Sequence, residues 1–146
     1  MKPTEQQPLV YFENAAGRLL EDPAGFIRAN WSGSTYGLAD VRGLFTHMML
    51  GLQRRGWSRI LINQLTMRPF THQEQEWIAQ KWLPQAVSEG GYRHGAVVVS
   101  PEVMVRLATA YITTQSQSLA ITYRSFETDA AAQAWLLQQP SSPLKY

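Results

Sequence analysis

The chain has 146 residues, 45% of them apolar and 16% charged, with a formal net charge of +2 and no cysteine. That length suits one domain, which buries roughly 70% of the surface of the unfolded chain and needs no staple to hold a core. The lack of cysteine excludes disulfides, thiolate metal sites and thiol catalysis, and suits a reducing compartment.

Five Trp, six Tyr and five Phe argue against disorder. The arginines are scattered, with only Arg54 and Arg55 adjacent, so the clustered basic face of a nucleic-acid binder is missing and no nucleic-acid partner is expected. The opening residues Met1 to Pro8 lack the apolar core of a signal peptide. No apolar run approaches the roughly 20 residues that span a bilayer. The expectation is a cytoplasmic chain without membrane insertion.

Residues 1–8 read as a flexible lead-in and residues 139–146 as a frayed tail, leaving a single domain over residues 9–138. Leu9-Val10-Tyr11-Phe12 reads as a short strand, followed by Arg18-Leu19-Leu20-Glu21 and the turn-forming Asp22-Pro23-Ala24-Gly25. From Phe26 to Trp31 the period is two, with Ile27, Ala29 and Trp31 on one face. These segments predict an antiparallel meander or hairpin with one side buried.

The period then lengthens. Leu38, Val41, Leu44, Phe45, Met48, Met49 and Leu52 recur every three or four residues, which predicts a helix ending near Gly56. Ile60-Leu61-Ile62 predicts a strand covered on both faces. Thr71-His72-Gln73-Glu74 fits a capping box opening a helix in which Ile78 and Trp82 point inward, with a bend at Pro84. Ala96 to Val99 predicts the next buried strand, and Ser100-Pro101-Glu102 an N-cap, a first-turn proline and a first-turn acid. The helix after it presents Met104, Leu107, Ala108, Tyr111 and Ile112 on one face. Leu119 to Tyr123 predicts a third buried strand, and Thr128-Asp129-Ala130 opens a final helix with Ala132, Trp135 and Leu136 inward.

The alternation predicts an α/β fold: a mixed, mostly parallel sheet with an antiparallel N-terminal hairpin and about four α-helices. Ligands of such sheets meet the carboxyl ends of the parallel strands. Three segments converge there: Asn63 to His72, Ser100 to Glu102, and Arg124 to Thr128. The first is long for such a loop and brings Arg68 and His72 to the helix start at Thr71, a setting that suits an anion. The candidate binding residues are Arg68, Phe70, Thr71, His72, Trp77 and Ser100. Trp77 beside Phe70 and Met67 forms either an apolar interaction patch or the flank of a tryptophan-rich core. His47, His72 and His94 share no metal spacing, and Trp31-Ser32-Gly33-Ser34 lacks the surroundings of a nucleophile elbow. No metal, cofactor or catalytic residue is expected from these patterns.

Tyr11-Phe12-Glu13-Asn14, the hairpin to Trp31, the helix from Leu38, and Ile60-Leu61-Ile62 with its polar loop together resemble the STAS-like domains. Gly90 to Val98 and Tyr123 to Thr128 fit the small stand-alone bacterial members, which are also similar to CRAL-TRIO-like proteins. The resemblance covers roughly residues 9–138 and implies a non-enzymatic regulatory module with a protein partner. In the anti-sigma-factor antagonists a serine at a helix start, in an Asp-Ser-Ser-Gly-like motif, is phosphorylated. Here that region reads Met67 to His72, which leaves Thr71 as the candidate for phosphorylation. The CRAL-TRIO side implies a small apolar ligand, and a homodimer is a further partner expectation. An enzyme with an unrecognised site at the same edge is the third alternative.

Overall fold

A computed structural model describes residues 7–142. Six strands form one sheet in the order in which they occur: β1 (Leu9–Asn14), β2 (Gly17–Asp22), β3 (Phe26–Trp31), β4 (Arg59–Asn63), β5 (His94–Val98) and β6 (Thr122–Phe126). β1, β2 and β3 pair antiparallel, and β3 to β6 pair parallel. The helices are α1 (Leu38–Arg55), α2 (His72–Trp77), α3 (Leu83–Ser88), α4 (Val103–Gln115) and α5 (Asp129–Leu136). A π-helical turn, Ile78–Trp82, joins α2 to α3 in one continuous helix, so the described residues hold four helical units. The predicted fold class is the observed one.

Strand alternation sorts the side chains into two layers. Leu19, Ile27, Ala29, Trp31 and Ile60 meet Val41, Leu44, Met48, Ile78, Trp82 and Ile112 from α1, the π turn and α4 on one face. Phe26, Leu61, Ala96 and Val98 meet Ala132 and Leu136 of α5 on the other. The three crossovers therefore share a face and α5 alone covers the reverse. The larger core carries an aromatic row in which Trp31, Phe45, Phe70, Trp82, Tyr92 and Tyr123 meet ring to ring.

The bend expected at Pro84 takes a specific form. Proline has no N–H to continue the ladder and crowds the carbonyl four residues back. The backbone widens just before it, and the Leu83 N–H donates to the Ile78 carbonyl, five residues back. Tyr11 is the extra residue where the β1–β2 register shifts, and its hydroxyl donates to the His47 carbonyl of α1 at 2.8 Å. His47 stacks on Phe12 at 3.7 Å, in keeping with a structural histidine.

Four expectations need correction. The last strand starts at Thr122, not Leu119, and its residues are half-buried or exposed, because β6 is the sheet edge rather than a covered strand. Ser100 does not cap α4: that helix starts at Val103 after Glu102, while the Ser100 hydroxyl accepts from the Glu102 N–H at 3.0 Å. α4 also faces differently from its apolar spacing, burying Val105, Ala108 and Ile112 and leaving Met104 and Leu107 62% and 58% exposed. The tail expected to fray is held as far as Ser141, whose carbonyl accepts from the Ser58 N–H at 3.1 Å. Residues 1–6 and 143–146 of the expected flexible ends lie outside the described residues. Among the described residues no helix is long and apolar enough to cross a membrane.

Arg59 ties the tail and α5 to the sheet. Its guanidinium donates to the carbonyls of Leu136 and Gln139 and to those of Ala24 and Gly25 in the β2–β3 turn, at 3.0 to 3.2 Å. Burial lowers its pKa from the ordinary arginine value, yet the helix C-terminal carbonyls favour a cation there. Arg59→Met strips those carbonyls of a charged donor. At roughly 1–3 kcal/mol for each group left unsatisfied, it is expected to lower the urea midpoint strongly, read by tryptophan fluorescence.

Candidate functional site

At the carboxyl end of β4 the loop from Gln64 to Thr71 is folded around one ion pair. Arg68 donates to both oxygens of Glu74, at 2.8 and 2.9 Å, to the carbonyls of Tyr36 and Pro69, and lies 4.0 Å over the Tyr36 ring. Glu74 also accepts from the Thr71 N–H, and the Thr71 hydroxyl accepts from the Glu74 N–H at 3.1 Å. The capping box read from the sequence is thus present. Burial pushes the Glu74 carboxyl up, but Arg68 and the Thr71 N–H outweigh it and hold the group below its ordinary range.

That knot uses up the predicted anion site. Arg68 has both terminal nitrogens of its guanidinium engaged by protein oxygens, and Thr71, though exposed, serves the cap. His72 is exposed and lies 2.9 Å from Glu76. Phe70 is a core residue, edge-on to Trp31 at 5.1 Å, so it lends nothing to an exposed patch. Trp77 is half-buried between Phe45 and the Arg42 guanidinium. Ser100 is buried, and its carbonyl accepts from Arg106 at 2.6 Å. The structure joins Arg68 and Thr71 through Glu74 and does not gather the six candidates into one cleft.

The open space lies alongside β6, from Ile121 before its start to Glu127 beyond its carboxyl end. α4 packs on α2 and the π turn and buries Val105, Ala108 and Ile112 in the larger core. A groove of about 750 Å³ remains between α4 and β6, within the range of ~300–1,000 Å³ usual for small-molecule sites. Its floor is Val97, Val99, Tyr123 and Ser125; α4 supplies Arg106, Thr109, Ala110, Thr113 and Thr114. Arg106 and Glu127 approach to 3.8 Å across one end. Beneath the groove lies an apolar cavity of about 40 Å³ bounded by Trp31, Phe45, Phe70 and Trp82. Gln64, Val97, Thr109, Thr113 and Tyr123 line both spaces and so form the partition between them.

Tyr92 and Tyr123 meet edge to face at 5.9 Å over Gly95, where any larger side chain would collide with both. Burial pushes both phenols above their ordinary range, so they stay neutral hydroxyls at physiological pH. Gln64 is buried, and its side-chain oxygen accepts from the Thr109 hydroxyl at 3.1 Å. The sequence placed Gln64 in a loop expected at the site edge but did not single it out, and it missed Tyr92, Thr109 and Tyr123 as site residues. The available signal was the polar run Thr113-Thr114-Gln115-Ser116-Gln117-Ser118 at the end of a helix otherwise rich in apolar residues.

Among the described residues no group of three or more His, Asp or Glu is placed to hold a metal. No protein-family model, curated protein or solved structure matches this chain.

Two outcomes test the knot. Thr71→Ala is expected to cost about 1 kcal/mol through the lost cap, measured by chemical denaturation. The lowered Glu74 pKa contributes stability that is complete above the unfolded value, near 4.5, and is lost as pH falls through the folded value. Glu74→Gln should therefore be less stable than the parent at neutral pH and flatten the acid side of its stability profile. An unchanged profile would show that Glu74 is not held ionised by Arg68.

Proposed function

We propose that this chain is a STAS-like binding module of the cytoplasm, regulatory in role and without turnover, whose ligand occupies the groove between α4 and β6. The observation that supports this reading is the open groove between α4 and β6. A crossover helix ordinarily covers the sheet between the strands it joins, and here the β5–β6 face beside α4 is left open. Hydroxyls and amides dominate its lining, and the Arg106–Glu127 pair sits at its end, so the surface suits recognition more than proton transfer. The likeness to STAS-like domains rests on element order and supports the same class of role.

A protein partner is the second reading, favoured by the outer side of α4. Val103, Met104 and Leu107 are 66%, 62% and 58% exposed there, beside the half-buried Tyr111. An apolar row on one helix is the kind of surface a partner covers.

Ala110 lines the groove from α4 and tests the first reading directly. The parent chain, purified gently from its native source, is expected to carry a small-molecule adduct in native mass spectrometry, and Ala110→Trp to lose it while keeping the same circular dichroism. An adduct retained by Ala110→Trp would place the ligand elsewhere. A parent chain with no adduct, and a partner lost only on Leu107→Glu, would favour the protein-partner reading.

A further inference from the structure

We infer that the groove takes an uncharged, hydroxyl-rich molecule of sugar size, bound mainly through its own O–H donors. This rests on the groove being the binding site. The chemistry comes from where the lining groups spend their protons. Thr109 donates its hydroxyl proton to Gln64 Oε1 at 3.1 Å, and Thr113 donates its own to the Ala110 carbonyl at 3.2 Å. What both present to the groove is lone pairs. At these two positions the α4 wall accepts hydrogen bonds from a ligand and disfavours an anion.

Charge points the same way. Among the described residues Arg106 and Glu127 are the only ionised side chains lining the groove, and they face each other at 3.8 Å. An ionised ligand seated along the floor would lose hydration without gaining an opposite charge, which is costly. The two tyrosines add no charge, since burial keeps both phenols protonated. Tyr123 supplies ring surface on the β6 side, against which the C–H face of a sugar-like ring can lie. The inner cavity of about 40 Å³ has room for little more than one water or methyl group, so a long apolar tail is not what this partition admits.

The test uses four probes matched in their alkyl part: n-hexyl β-glucoside, 1-hexanol, hexanoate and hexylammonium, titrated into the full chain and followed by backbone amide NMR. The glucoside is expected to shift the amides of Thr109, Thr113, Tyr123 and Ser125 and to bind at least about tenfold more tightly than the other three. Ala110→Trp should abolish those shifts while leaving the remaining spectrum in place. Equal or tighter binding of hexanoate, hexylammonium or hexanol at the same amides would overturn the inference and leave the groove standing as a site. If no probe shifts those amides, while Ala110→Trp still abolishes a native adduct, the hydroxyl-rich class is wrong. If the adduct is also indifferent to Ala110→Trp, the groove reading falls with it.

Discussion

Pro84 has no amide proton, and the molecule is arranged around that deficit. The helix leading to it widens by one residue, so that the Leu83 N–H reaches the Ile78 carbonyl. The wide turn keeps Ile78 and Trp82 both buried, and lets the Trp82 indole N–H donate to the Phe45 carbonyl at 2.7 Å. α4 rests on this turn and on α2. Beside it, between α4 and β6, the groove stays open. π turns of this sort recur at functional sites, where one inserted residue re-aims its neighbours.

The charged residues that look available in the sequence are mostly engaged in holding the frame. Arg68 closes the β4 loop on Glu74, Arg28 bridges Asp22 and Asp129 at 2.8 Å each, and Arg59 fastens the tail. Each is at least half-buried along its stem, where a guanidinium with several fixed acceptors is worth more than an exposed ion pair. The pair of Arg54 and Arg55 seen in the sequence meets Glu21. Apart from the Arg106–Glu127 pair the groove is lined by neutral groups, and neutral hydroxyls discriminate by hydrogen-bond geometry rather than by charge.

Where period and capping chemistry act locally, the sequence was readable. The α1 stripe, the alternation of Phe26 to Trp31, the Thr71 box and the Thr128 cap are all present, because each depends on neighbours within a turn or a strand. Where a choice depended on a distant surface, it was not. Phe70 and Arg68 look like loop residues free to meet a ligand, and only the approach of Trp31 and Glu74 takes them inward. Met104 and Leu107 share a helical spacing with Ala108 and Ile112, and spacing alone does not say which side of so apolar a helix finds a partner.

The sequence by itself determined an α/β sheet with an antiparallel start, the order of its units, and the absence of thiol chemistry. These follow from side-chain period, turn residues and composition, which act over a few residues. The tertiary structure alone decided that β6 is an uncovered edge, that α4 leans on a π turn, and that Gln64, Thr109 and Tyr123 stand around one opening. Those outcomes are set by how far a helix sits from a sheet, a distance fixed by the packing of Trp82, Tyr92 and Ile112 against residues remote in the chain.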